Sequence, residues 1–330
     1  MGEESRAACH QSRKTGNVSR TSAGSTRLLV TSARNGERLD VFLAAVTDLS
    51  RRASRRLIAD GLVARNGEVV RVQSRALETG DVIDIFHPEP DFDPDPSSAC
   101  PTVEILHVDR WILVADKPPG VLSQPAERES PDDPPAFDEQ VLLFLAHREG
   151  AKPFLRMVHR LDRQTSGAVL FARRPDALPK ISRAWADHQV ERYYIAVVEG
   201  HPDEVSFALD RAIARDPNHR WRFRCHERGK PARTEVEVLA ALEEDLCLVG
   251  CRLVTGRTHQ VRVHLADAGH PVLGDRLYGS NRAGQAGRTL LHAAALNFPH
   301  PKTGDTLRVI CLPPPDFVPF IPERLSILDS

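Results

Sequence analysis

Apolar positions along the chain change period several times, and each change marks an element. Leu39, Phe42, Leu43 and Val46 recur at the spacing of an amphipathic helix. The next stretch, SRRASRRLIADG, is bracketed by Ser50 as N-cap and Gly61 as C-cap. VARNGEVV then reads as strand, Asn-Gly turn, strand, and ETGDVIDIF adds a further turn and strand. From His87 to Pro101, proline alternates with acidic residues, a pattern that cannot build a core and predicts a linker. Beyond Val103, the apolar runs WILVAD, AVLFAR and YYIAVVEG read as strands separated by helical or turn-rich stretches. Ser123 to Pro135 is polar and rich in proline, which predicts a mobile loop. THQVRVHLADAG predicts a helix with Val261, Leu265 and Ala268 on one face and Gly269 as its cap. Strands and helices mix without a βαβ rhythm, so the predicted class is α+β.

Composition narrows this picture only a little. The 330 residues are 41% apolar and 27% charged, enough for about two domains with full cores. No apolar run is long enough for a membrane helix, so no membrane partner is expected. Met1 to Arg34 is polar, with six Lys/Arg against two Glu, and lacks the apolar core of a secretory signal. It predicts a disordered basic arm. The cysteines are scattered, and Cys247 and Cys251 form the only close pair, with no partner pair at zinc-finger spacing. Buried thiols in a reducing cytoplasm are expected.

Net charge is −1, so any polyanion partner must be met by a local basic face. Arg51, Arg52, Arg55 and Arg56 supply one on the predicted second helix. Like charges at i,i+4 cost a few tenths of a kcal/mol, a cost that a bound polyanion removes. A solvated helix face is the competing reading. The tract from Arg211 to Lys230 interleaves basic residues with Trp221 and Phe223, which suits RNA contact or a plain surface hairpin.

The chemistry centres on HRLDRQTSG, His159 to Gly167, where Asp162 stands between Arg160 and Arg163 and before a Thr-Ser-Gly turn. Its carboxylate suits catalysis, and equally suits a cap on the amides of Thr165 or Ser166. A hydrolase built on Ser166, His159 and Asp162 lacks the G-x-S-x-G elbow. A metal site from His159, Asp162, His259 and His264 lacks the HExxH spacing.

The segment from RLDVFL to GDVIDI resembles the S4 domain, a small RNA-binding module. ILVADKPPGVLSQP, HRLDRQTSG, RYYIAVVEG, GKPARTEVEVL, LVTGRTHQVRVHLADAGHPVLGDRLYG and LLHAAALNFPHP, in that order, resemble the motifs of the RluA family of pseudouridine synthases. The resemblance implies a catalytic domain with a mixed, largely antiparallel sheet behind a small S4 (α-L) domain. The expected division is a disordered arm at 1–36, S4 at 37–86, a linker at 87–102 and the catalytic domain at 103–330. It implies isomerisation of uridine to pseudouridine, with Asp162 catalytic, Tyr194 against the flipped uracil and Arg257 paired with Asp162. RNA contacts are expected at Arg51, Arg52, Arg55, Arg56, Arg160, Lys117, His259 and Arg262. Arg192 stands where the family has Lys, and the loop near Gln124 is longer or more acidic than the pattern. Nothing is oxidised and no group is transferred in, so neither cofactor nor metal is expected.

Asp162 has two routes open to it, attack on C1′ or C6 as a nucleophile and abstraction of the 2′ proton. The implied partner is RNA, first large-subunit ribosomal RNA of the 23S type and second transfer RNA, and a cytoplasmic monomer is expected. The alternative from another class is a non-catalytic S4 RNA-binding assembly factor.

Overall fold

The computed structural model describes residues 18–20, 25–47, 49–86, 100–125, 134–150, 153–282 and 284–322. The described residues fall into two compact units, Met1–Phe92 with Pro175–Arg183, and Asp93–Arg174 with Ala184–Ser330. The acidic linker lies outside the described residues from 87 to 99, as do 126–133 of the Pro-rich loop.

In the first unit, β1 (Val18–Arg20) and β2 (Ser25–Leu29) precede α1 (Leu39–Val46) and α2 (Arg51–Ala59), followed by β3 (Val63–Arg65), β4 (Glu68–Val69) and β5 (Val82–Phe86). The strands form an antiparallel sheet in the order β1-β2-β5-β3-β4. The helical spacing holds: Leu39, Phe42 and Leu43 are buried, and the Ser50 hydroxyl accepts from the Ala53 amide at the start of α2. Asn66 and Gly67 both have positive φ, the geometry an Asn-Gly hairpin needs. The expectation of a disordered arm through residue 36 is corrected here. β2 pairs with β5 over its whole length, because Leu28 and Val30 point inward and Arg27 binds Asp84. The polar composition of the preceding residues conceals this short alternating run.

The second unit holds β6 (Glu104–Val108), β7 (Ile112–Lys117), α3 (Phe137–Glu149), β8 (Arg156–Met157) and β9 (Ser166–Ala172). After α4 (Ala177–Ala186), whose residues to Arg183 belong to the first unit, come β10 (Glu191–Glu199), β11 (Ser206–Asp210), β12 (Ile213–Arg215), β13 (Phe223–Cys225), β14 (Arg233–Leu242), β15 (Leu246–Leu253), α5 (Gln260–Asp267), β16 (Leu291–Pro299) and β17 (Thr306–Ile310). A short 3-10 turn, Pro315–Phe320, follows. The described strands build a sheet in the order β11-β14-β15-β10-β16-β9-β7-β6, with β17 on β16 and β8 on β9. Within it β16 and β9 run parallel, and the other pairs are antiparallel.

This sheet is covered on both faces, so its central strands are apolar throughout. Along β10, Tyr194, Ala196 and Val198 join the core of α3 and α5, through Phe137, Val141, Val261 and Leu265. Ile195 and Val197 point to the opposite core with Leu248, Ala294 and Phe317. Cys247, Cys251 and Cys311 are buried free thiols.

Candidate active site

Asp162 lies in the turn that feeds β9, and four neighbours fix that turn. The Ser123 hydroxyl accepts from the Leu161 amide at 3.0 Å and donates to the Leu161 carbonyl at 2.7 Å. The Gly120 amide donates to the Arg163 carbonyl, and Arg163 Nε returns a bond to the Gly120 carbonyl. Arg288 reaches the Gln164 carbonyl at 3.0 Å and the Ser166 hydroxyl at 3.3 Å, while Asp316 holds its other edge. Ser166 and Gly167 then pair with His292 and Ala293 of β16. Gly167 has φ +118, and a Cβ there would lie 2.4 Å from the Ala293 carbonyl oxygen, so only glycine permits this approach.

The two readings of Asp162 separate in this geometry. Its backbone carbonyl, not its carboxylate, closes the turn by accepting from the Thr165 amide. The carboxylate faces α5, where Arg262 Nη1 donates to Oδ2 at 3.0 Å. Arg262 is itself locked by a two-pronged bond to the buried Asp275, 2.6 and 2.9 Å, and lies over the Tyr278 ring. His259 Nε2 stands 3.8 Å from Oδ1, and its Nδ1 is 2.8 Å from the Tyr278 hydroxyl. Burial pushes the Asp162 pKa up, but His259, Arg262 and Arg160 outweigh it and the carboxyl titrates below its ordinary value. Burial also lowers the His259 pKa, so at neutral pH the standing counter-charges are Arg262 and Arg160.

Tyr194 arrives from the neighbouring strands. It pairs with Ala293, the same residue that Gly167 meets from the other side, so β16 lies between it and the Asp162 turn. The register slips between Tyr193 and Tyr194, and such a bulge re-aims side chains. Tyr194 is buried and its phenol is pushed up to about 12 by burial, with the Asp162 charge adding to the rise. Tyr193 faces away and ties its hydroxyl to Glu191.

Several sequence expectations are corrected. Arg257 does not pair with Asp162: it is exposed, and its Nε donates to the Pro231 carbonyl. It precedes α5, whereas His259 and Arg262, three apart, both project toward Asp162. That i,i+3 spacing was the available signal. Lys117 offers no RNA contact. It is fully buried, and its amine donates to the carbonyls of Pro118, Val121 and Arg163 beside the Asp162 turn. His264 is buried on Thr234 and the Arg211 carbonyl. His159 stacks on Trp185 and accepts from the Leu170 amide, its pKa lowered to about 3 by burial and the Arg192 charge. Arg288 lies outside the quoted motifs and Ser123 is not singled out within its own, because their contacts exist only across segments distant in sequence.

Residues 111–267 match the RNA pseudouridylate synthase family, and residues 37–83 match the S4 domain. The dual-specificity RNA pseudouridine synthase RluA of Escherichia coli is 36% identical over 63% of this chain and 91% of its own. The ribosomal large subunit pseudouridine synthase D of Zymomonas mobilis is 33% identical over 89% of this chain and 93% of its own. The chain belongs to the RNA pseudouridylate synthase family. Human RNA pseudouridylate synthase domain containing 1 shares the fold at a TM-score of 0.55 and 28% identity, over 68% of this synthase and 87% of that chain.

The S4 unit of the synthase carries the predicted arginines, with a counter-charge that the sequence spacing does not reveal. Arg38, Arg51 and Arg55 converge on Asp40, whose side chain is fully buried, at 3.0, 3.1 and 2.8 Å. Burial opposes ionisation of Asp40, but the three guanidiniums hold its carboxyl far below the usual range. Arg56 meets Asp60 loosely at 3.7 Å, and both are exposed. Arg52 is exposed and makes no hydrogen bond or ion pair among the described residues. In the catalytic unit, β12 and β13 form a hairpin that presents Trp221, 57% exposed, with Arg220 over its ring. No helix among the described residues is long and apolar enough to cross a membrane.

Proposed function

We propose that the synthase isomerises specific uridines of large-subunit ribosomal RNA, with Asp162 as its catalytic residue. The observation that carries this is a single ionised carboxylate, bound by Arg262 on one oxygen and open on the other. Uridine becomes pseudouridine when its glycosidic bond breaks, the uracil turns, and C5 joins C1′. No atom is gained or lost overall, so the protein needs a charged group at the ribose, a surface for the loose base and a seal against water. Asp162 supplies the first. Tyr194 supplies a flat face for a base drawn out of its stack, worth roughly 1–3 kcal/mol. Exposed Arg160 and the Trp221 hairpin border the approach for RNA. The ribosomal assignment is supported by the Zymomonas mobilis relative, named a ribosomal large subunit pseudouridine synthase, whose match covers 89% of this chain.

The test is tritium release from RNA labelled with 5-³H-uridine. Wild type releases tritium from RNA extracted from a strain lacking the gene, and Asp162→Asn releases none. Full activity in that variant removes Asp162 from the chemistry, and no release by wild type from any cellular RNA favours a binding-only protein. Chemical probing of pseudouridine in the deletion strain locates the sites, and losses confined to transfer RNA overturn the ribosomal assignment.

A further inference from the structure

The hydrogen bonds behind α5 favour one tautomer of His259. The Phe223 amide donates to the Tyr278 hydroxyl oxygen at 3.0 Å, so the phenolic proton is free to be donated to His259 Nδ1 at 2.8 Å. With Nδ1 accepting, the imidazole proton is on Nε2, the nitrogen 3.8 Å from Asp162 Oδ1. Phe223 and Tyr278 hold the ring edge-on from two directions, at 5.8 and 5.6 Å between centroids. The His259 backbone is left-handed, φ 58 and ψ 21, a conformation uncommon outside glycine and one in which strain aims a side chain. Burial keeps the ring neutral at neutral pH, with Arg262 and Arg160 reinforcing it against Asp162 and Asp275.

Asp162 Oδ2 is occupied by Arg262, while Oδ1 receives no hydrogen bond from the described residues. At 3.8 Å, Nε2 and Oδ1 are too far apart to bond each other. One oxygen fits between them at about 2.8 Å from each. That oxygen has to accept from Nε2–H and donate to a carboxylate, which a hydroxyl does. On a uridine whose C1′ approaches Asp162, the adjacent hydroxyl is the 2′-OH, the group that distinguishes RNA from DNA.

We propose that His259 Nε2–H and Asp162 Oδ1 together read the 2′-hydroxyl of the target nucleotide, which makes His259 a specificity-determining residue. The proposal rests on the reading of Asp162 as the catalytic residue. Its first test needs no RNA. Nitrogen-15 NMR of the imidazoles in the full-length protein, with His259→Gln for assignment, is expected to show His259 with its proton on Nε2. A proton on Nδ1, or a doubly protonated ring at neutral pH, overturns the proposal.

The second test uses stem-loop RNAs centred on a uridine located by probing, with uridine or 2′-deoxyuridine at that position, as competitors of tritium release. Wild type is expected to prefer the uridine stem-loop about tenfold, the size of one good hydrogen bond. In His259→Ala the preference falls below about threefold, and His259→Gln, which keeps an N–H near the Nε2 position, retains part of it. An undiminished preference in His259→Ala, or no preference in wild type, overturns the proposal and leaves the catalytic reading standing. A wild type that releases no tritium overturns both.

Discussion

In the proposed reaction Asp162 acts as a carboxylate, and Arg262 is the cationic neighbour hydrogen-bonded to it. Burial alone drives its pKa up, and the cationic neighbours reverse that. Arg262→Gln removes the guanidinium that, among the described residues, is bonded to the carboxylate, so burial gains and the folded pKa rises. Activity requires the carboxylate form, which is present above the pKa. The acid limb of kcat/KM therefore moves to higher pH, by about one unit or more, and the plateau falls about 100-fold. Arg257→Gln leaves the limb in place and changes kcat/KM less than about threefold, because its guanidinium is spent on the Pro231 carbonyl. A pH profile of tritium release for the two variants side by side distinguishes them. Equal effects would return Arg257 to the site.

At the level of elements, the active site is a matter of register. β16 brings the turn before β9 and the bulged Tyr194 of β10 to its two edges, and Gly167 permits the contact. Gly167→Ala puts a methyl group into the Ala293 backbone at a positive φ. It is expected to lower stability by about 2 kcal/mol or more in urea unfolding and to reduce kcat at the same time. Arg288 holds the Gln164 carbonyl, while Asp316 in the 3-10 turn Pro315–Phe320 holds its other edge. Arg288→Lys keeps the charge but not the forked geometry, so kcat is expected to fall while KM stays near wild type. A rise in KM alone would place Arg288 in RNA binding instead. Strand periodicity revealed β7, β9 and β10 individually. It could not reveal that β9 and β16 run side by side in parallel, since that pairing joins segments more than a hundred residues apart.

For the molecule as a whole, the S4 unit and the catalytic unit divide the work by charge. Arg52 and Arg56 are exposed with little or no pairing, whereas Arg51 and Arg55 share Asp40. Arg52→Gln with Arg56→Gln is expected to weaken RNA binding and to flatten the slope of log affinity against log salt by about 0.7–0.9 per lost phosphate contact. An unchanged slope removes α2 from the RNA interface. Arg51→Gln with Arg55→Gln has a second effect, because it strips partners from a buried carboxylate. Stability at pH 7 should fall by about 1–3 kcal/mol and recover when Asp40→Asn is added. Neither double variant should change kcat on saturating RNA, since every residue bonded to Asp162 belongs to the catalytic unit.

The order of residues was by itself enough for the two-part organisation, the class of fold, the family and the motifs in which Asp162 and Tyr194 stand. Those features are carried by local period, turn chemistry and contiguous motifs, all of which survive in one dimension. Which arginine meets Asp162 was decided only in three dimensions. Arg257 and Arg262 sit five residues apart in one basic motif, and only the start of α5 turns the second toward the carboxylate and leaves the first outside. The burial of Lys117 and the clustering of arginines on Asp40 follow the same rule. A charged side chain looks alike in sequence whether it faces a phosphate or a carbonyl, and its partner is fixed by packing between distant segments.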